Sequence, residues 1–262
     1  MNTWMINGAL ALTAALIATA LFFFVFTRGA LVVRGLSRTS NAKSHVYPVY
    51  SNKWLIKAVD FQPIISAILL FQYHRLVSKI VAEIRQMDLR GKKVLITSCA
   101  FGNVMPRVAK AAFQSGAAGL IVADIIPNEL AHAKAKLAEY GSKVEYVEDN
   151  ATCMQQADAS VAANVIFFLL HELPHHLKEK ALDEAGRTLA PGGKIFLGEF
   201  HRPSARVLRA LSWAYFKVFE PLGLALWDTH DPISHLENTG RWDCQRSTYF
   251  FGNFQIITAT KQ

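Results

Sequence analysis

Residues able to do chemistry fall at one recurring place in this sequence, directly after short apolar runs. Ser98–Gly102 (SCAFG) follows the run ending at Thr97, Asp124 closes Leu120–Asp124, and Asp149 with Asn150 follows Val144–Val147. His171 and Glu172 follow Val161–Leu170, and Glu199, Phe200 and His201 close the run that starts at Lys194. If each run is a strand, these groups line one edge of a sheet, where open α/β sheets bind ligands. Structural need alone does not gather polar groups at the same end of every strand, so the pattern points to an enzyme.

The chemistry divides in two. Asp124 lies 22 residues after Gly102, close to the roughly 20-residue spacing at which an acid meets a ribose hydroxyl pair. SCAFG holds a single glycine, which argues against a pyrophosphate, since that group needs close backbone approach, and for a nucleoside without phosphates. Asp149 and Asn150 would then lie beside the adenine. His171 with Glu172 suits acid–base work or a divalent ion, manganese as well as zinc. Glu199 and His201, on what should be the neighbouring strand, can converge on the same space. The plain alternatives are solvated strand-end acids for Asp124 and Asp149, and a helix-capping or strand-end histidine for His171. His175 and His176 read as solvent-facing. HELPH at 171–175 spells H-E-x-x-H, but a zinc-protease site needs both histidines on one helical face. Pro174 removes a helical N–H and pushes Leu173 out of the helical region, so that reading is rejected.

The elements that must position these groups alternate. Strands at Val94–Thr97, Leu120–Asp124, Val144–Val147, Val161–Leu170 and Lys194–Phe200 are separated by helices from about Val104, over Pro127–Tyr140 and over Leu177–Leu189. Asn103 can cap the first helix, Pro106 sits harmlessly in its first turn, and Gly141 ends the second. APGG (Ala190–Gly193) is expected as the turn into the fifth strand. Arg246–Phe251 and Phe254–Thr260 flank Gly252-Asn253 as a hairpin. The result is a mainly parallel α/β sheet closed by an antiparallel element. Residues 61–84 read as one or two helices that cap this domain or lie at a membrane interface.

Net charge is +8, and residues 1–59 hold six Lys/Arg and no Asp or Glu. A basic start on a near-neutral body fits an anionic membrane surface better than nucleic acid, for which no Lys/Arg stripe interleaved with aromatics is present. Trp4–Phe26 carries no charge over 23 residues, about 34 Å of helix against a ~30 Å hydrocarbon core. Arg28, Arg34 and Arg38 follow, which places residues 28 onward in the cytoplasm. A basic cluster after the apolar run fits a retained signal anchor better than a cleaved signal peptide. Cys99, Cys153 and Cys244 form neither a CxxC pair nor a disulfide framework, so the catalytic domain belongs in a reducing compartment. The expected organisation is an anchor with basic flank over 1–35, a linker with capping helices over 36–90, and a catalytic domain over 91–262.

With these residues placed, the region from about Gly91 to Gln262 resembles a class I S-adenosylmethionine-dependent methyltransferase. KVLITSCAFGN looks like motif I and LIVADI like motif II, with VEDNA, VIFFLLHELP and APGGKIFLGEFHRP as later motifs. FFLLHELP, and EFHRP followed by FEPLGLALWD, are most similar to the rhodoquinone biosynthesis methyltransferase-like family. The resemblance implies a Rossmann-like, mainly parallel seven-stranded sheet with a C-terminal antiparallel hairpin, preceded here by the transmembrane helix. It implies S-adenosylmethionine as cofactor, Mn²⁺ as helper, and conversion of ubiquinone to rhodoquinone by exchange of a ring methoxy group for an amino group. Ser98 lies in the cofactor turn, and the resemblance carries Cys99, Ala100, Gly102, Asp124, Asp149 and Asn150 onto cofactor positions. His171, Glu172, Glu199 and His201 fall on the reactive edge, with His171 and Glu199 as metal ligands. Ordinary methyltransferases have an acid where this chain has Ile96 and glycines where it has Ser98 and Ala100, which fits an altered donor geometry. The expected partners are ubiquinone or a related lipophilic quinone and membrane lipid. The site would lie on the cytoplasmic face of an inner membrane, with a mitochondrial membrane as the alternative. Two further readings are a conventional O- or C-methyltransferase of a lipophilic small molecule, and a non-catalytic membrane assembly factor.

Overall fold

A computed structural model describes residues 3–23, 56–57, 60–99, 101–219, 221–238 and 242–262. Chain contacts divide it into two compact units, Met1–Asn52 and Lys53–Gln262. In the first unit, helix α1 (Thr3–Phe23) contains no charged residue, and Leu10, Leu12, Leu16 and Ile17 are exposed. Among the described residues no single helix is long and apolar enough to cross a membrane; the apolar stretch Asn7–Ala18 is shorter than a span. The end of the expected anchor beyond Phe23, its basic flank, most of the linker, and Ala100 lie outside the described residues.

The second unit is built on one sheet. Its strands are β1 (Lys93–Thr97), β2 (Gly119–Asp124), β3 (Val144–Glu148), β4 (Val161–Phe167), β5 (Leu189–Phe200), β6 (Trp242–Tyr249) and β7 (Phe254–Lys261). They lie in the order β3-β2-β1-β4-β5-β7-β6. The first five pair in parallel, and β7 pairs antiparallel with both β5 and β6. The expected seven-stranded Rossmann-like sheet and C-terminal hairpin are therefore present. β2 and β4 are buried along their whole length, as uninterrupted apolar strands covered on both faces must be. Val94 and Ile96 of β1 enter one core layer and Leu95 the other. Each such fully buried side chain contributes about 1.5–3 kcal/mol.

On one face lie α2 (Gln62–Ile68), α3 (Tyr73–Arg85) and α4 (Val104–Gln114), which supply Ile65, Tyr73, Leu76, Ile80, Val108 and Ala112 to the core. α2 and α3 are bent by 98° against each other. They cap the sheet as ordinary packing helices. On the other face, α6 (His175–Thr188) and α8 (Pro232–Asn238) contribute Ala181, Leu182, Ala185 and Leu236. Helix α5 (Pro127–Lys136) follows β2, and α7 (Arg206–Phe219) follows β5.

Several boundaries differ from those expected, each for a local reason. The helix expected to reach Tyr140 stops at Lys136 and passes into a 3-10 segment, Ala138–Lys143, in which Gly141 takes φ 53°. β4 ends at Phe167 because Phe168 turns to φ 57°, and Leu170–Glu172 becomes a 3-10 turn. Helix α6 starts at His175 directly after Pro174, so H-E-x-x-H does not share a helix. APGG is not a turn outside the fifth strand. β5 begins at Leu189, with Gly192 at φ 72° and a register shift against β4 between Val161 and Ala163. That irregularity behaves as a bulge, which bends a strand without ending it.

Candidate active site

The strand edge carries two separately built constellations. The first surrounds the turn after β1. Ser98 sits at φ 72°, its N–H bonded to the Ala123 carbonyl at 2.8 Å. Thr97 Oγ1 donates to Asn164 Oδ1 at 2.8 Å, tying β1 to β4 beneath it. Asp124, whose spacing predicts a ribose contact, is buried and turned toward its own loop. Its Oδ2 accepts the Cys99 N–H at 2.6 Å and lies 3.4 Å from Ser98 Oγ, and its Oδ1 accepts the Ile126 N–H at 2.8 Å. Burial pushes its carboxyl up, and those backbone bonds partly offset the shift. A residue expected to hold ribose hydroxyls is thus occupied in holding the turn. The turn's backbone N–H groups need a local acceptor, and Asp124 supplies it. Cys99 is buried, and burial followed by the Asp124 charge raises its thiol well above the usual range, so it is an inert packing group.

Gly102 completes the turn at φ 79°, and a Cβ there would lie 2.5 Å from Tyr73 Oη. Its N–H donates to Asp60 Oδ1 at 2.6 Å. Asp60 also meets Lys136 Nζ at 2.8 Å and His132 Nε2 at 3.0 Å, and Lys136 reaches back to the Gly102 carbonyl. The turn is therefore clamped from α5 and from the segment before α2. Sequence reasoning missed this clamp, although Asp60 had a signal as the first acid in the chain. At the end of β3, Asp149 accepts the N–H groups of Asn150 (2.8 Å) and Gln155 (2.9 Å) and shapes its own loop. Asn150 is exposed and accepts from Thr152.

The second constellation lies at the ends of β4 and β5. Glu199 is fully buried, with Oε1 3.0 Å from His171 Nδ1 and accepting the Phe200 N–H at 2.8 Å. Its Oε2 lies 3.2 Å from the His171 N–H. Parallel pairing of β4 with β5 brings the two together. Lys178 of α6, itself buried, donates to the Leu173 carbonyl at 2.7 Å and to the Leu170 carbonyl, fixing the 3-10 turn that carries His171. Burial lowers that lysine to about 8. The histidine is walled by rings: Phe200 at 4.9 Å, Phe168 at 6.1 Å, and Phe216 packed on Phe200 at 4.8 Å. Gly223 admits this packing, since a Cβ there would sit 2.8 Å from Phe216.

His201 does not join the pair. Its Nδ1 lies 2.7 Å from the Gly252 carbonyl and its N–H donates to the Asn253 carbonyl at 2.9 Å, so it pins the β6–β7 turn. Burial and then Arg246 act to lower its pKa. Glu172 is half-buried beside His171. His175 and His176 are exposed, and His175 stacks on His230 at 5.4 Å.

The expected manganese site does not survive this geometry. Among the described residues no group of three or more His, Cys, Asp or Glu could hold a metal ion. His171 Nδ1 and both Glu199 oxygens face one another or backbone amides, so the donor set does not fit manganese. An adenosyl group fits better. The first constellation offers a tight turn at a helix start and one buried, unpartnered carboxyl oxygen, Glu129 Oε1.

The fold is that of S-adenosylmethionine-dependent methyltransferases. A solved methyltransferase of this kind from Aquifex aeolicus aligns over 80% of this chain and 99% of its own, at 18% identity and a TM-score of 0.55. N-methyltransferase NodS from Bradyrhizobium japonicum, solved with S-adenosyl-L-homocysteine, covers 78% of this chain and 90% of its own at 15% identity and TM-score 0.52. The sequence model of the ubiE/COQ5 methyltransferase family matches residues 55–247, and the chain belongs to that family, within the class I S-adenosylmethionine-dependent methyltransferases. Its relatives include the ubiquinone/menaquinone biosynthesis C-methyltransferases UbiE of Salmonella arizonae, 29% identical over 61% of this chain, and of Cronobacter sakazakii, 32% identical over 52%. The chain spans 63% and 48% of the lengths of those two relatives.

Proposed function

We propose that this chain is a membrane-associated, S-adenosylmethionine-dependent enzyme of quinone metabolism that replaces a ring methoxy group of ubiquinone with an amino group. The observation that carries the reading is the buried His171–Glu199 pair inside an aromatic enclosure, beside a turn suited to an unphosphorylated adenosyl cofactor. S-adenosylmethionine, when bound, supplies the transferred group. Glu199 holds the imidazole through Nδ1, so Nε2 would be the nitrogen that takes a proton from the incoming amino nitrogen and gives one to the departing methoxy oxygen. Phe168, Phe200 and Phe216 offer ring faces to a quinone and keep water from the exchange. An inward-turned Asp124 supports the altered cofactor placement that the glycine-poor turn implies.

The lipophilic substrate has further support in α7. Phe216 faces the enclosure, while Val207, Leu211 and Trp213 on the outer side are 75%, 65% and 47% exposed. Arg206 and Lys217 accompany them, and the helix carries no acid. Such a face suits an anionic bilayer surface from which a quinone could enter. The N-terminal anchor and an inner-membrane location belong to the same proposal and rest on the uncharged Trp4–Phe26 sequence with its basic flank.

A second reading, C-methylation of a quinone precursor, is favoured by the names of the relatives. The chain incubated with ubiquinone and S-adenosylmethionine should yield an aminoquinone by mass spectrometry. A product heavier by one methyl group selects the second reading instead.

A further inference from the structure

Glu129 has no part in the chemistry above, and its surroundings are not those of a surface helix acid. It lies in the first turn of α5, is 2% exposed, and its Oε1 has no hydrogen-bond partner among the described residues. A buried carboxyl oxygen without a partner is unfavourable in the free protein. It becomes favourable when a ligand supplies the missing bond.

Its neighbours define that ligand. The charged groups facing it are Asp124 from β2, Asp60 ahead of α2, Glu172 from the turn after β4, and Lys136 on its own helix. The Cys99 thiol also lies within electrostatic reach. Burial first, then Asp124 and Asp60, push the Glu129 carboxyl up to about 8, with Lys136 opposing. At neutral pH it is therefore protonated. It lies at the turn where the cofactor is expected, while three donors already use Asp124. A protonated carboxyl presents an O–H donor beside a C=O acceptor. Adenine presents the complementary pair, an N6–H₂ donor beside the N7 acceptor, the pattern that a side-chain amide reads in a paired fashion.

We propose that Glu129, whose buried Oε1 lacks a partner among the described residues, reads the adenine of the cofactor through a pair of hydrogen bonds. The proposal rests on the adenosyl-cofactor reading of this edge and adds the residue that selects the base. A carboxylate would lose the donor half of the pair, so recognition weakens as pH rises past the value of the ligand-free group. Glutamine keeps both halves at every pH.

Calorimetric titration of the full chain with S-adenosylhomocysteine and S-inosylhomocysteine tests it, because the inosyl compound replaces the amino donor with a carbonyl acceptor. The wild-type chain should prefer the adenosyl ligand by about 10- to 100-fold. Glu129→Gln should keep that preference and bind S-adenosylhomocysteine with no fall in affinity between pH 7 and pH 9, a range set by the shift to about 8. Wild-type affinity should fall over the same range. Glu129→Leu should bind S-adenosylhomocysteine about 10-fold or more weakly and lose the base preference. Its ligand-free melting temperature should hold or rise, because an unpaired buried oxygen is gone. Base preference retained in Glu129→Leu, or lost equally in Glu129→Gln, overturns the proposal. A wild-type chain that binds neither ligand overturns the cofactor reading itself. A chain that binds both equally overturns only the role of Glu129.

Discussion

The two ends of the strand edge put their carboxylates to different use. At β1–β3, carboxylates are directed at backbone. Asp124 holds the amides of Cys99 and Ile126, Asp60 that of Gly102, and Asp149 those of Asn150 and Gln155. At β4–β5, one carboxylate faces one histidine among aromatic rings while also accepting the amides of His171 and Phe200. The first arrangement spends charge on shape. The second keeps a titratable pair buried among aromatic rings, where electrostatic effects are strong. The comparison teaches that acids at matching strand ends need not share a task. What each does depends on whether the local backbone leaves amides unsatisfied.

If the ends are separable, damage to one should spare the other. The largest effect is expected from His171→Ala or Glu199→Ala, which should cut turnover by about 10²- to 10⁴-fold. Binding of S-adenosylhomocysteine by calorimetry should be unchanged. Retained turnover in both variants would remove the pair from the chemistry.

Gly102→Ala attacks the other end. Its Cβ meets Tyr73 at 2.5 Å in a left-handed conformation, which should cost about 1–3 kcal/mol or more. Thermal unfolding should fall by about 2–4 °C for each kcal/mol, and cofactor binding should go with it. Asp60→Ala leaves the Gly102 amide, Lys136 and His132 without their shared acceptor. Loss of a charged hydrogen-bond partner predicts about 1.5–3 kcal/mol of stability, read by denaturant titration. The maximal rate at saturating cofactor should stay near that of the wild type. A large fall in rate would couple the two ends and break the comparison.

The smallest effect belongs to the outer face of α7. Val207→Asp with Leu211→Asp should alter stability by no more than about 0.5 kcal/mol per exposed site. Turnover of a soluble short-tailed quinone should not change, while the KM for a vesicle-borne quinone should rise.

Sequence analysis carried the alternating elements, the parallel sheet with its hairpin, and the single edge on which His171, Glu199, Asp124 and Gly102 lie. Apolar runs of strand length between amphipathic helices leave few other solutions. It also anticipated that β4 and β5 would bring Glu199 toward His171. His201 did not join Glu199, although residues two apart share a face in a continuing strand: β5 ends at Phe200, and His201 found a carbonyl in the β6–β7 turn. Lys178 and the Asp60 clamp were not legible. Lys178 meets backbone carbonyls and Asp60 a backbone amide, groups common along any chain, and His132 and Lys136 join Asp60 from a distant helix.

By itself, then, the sequence determined where each chemical group stands along the strand edge, since hydrophobic periodicity and punctuation are local properties of a chain. Only the tertiary structure decided what each group does there. Whether Asp124 turns toward a ligand or toward its own turn, and whether Glu129 stays without a partner, depends on which donors folding brings within 3 Å of an oxygen, the hydrogen-bond range. No spacing records that.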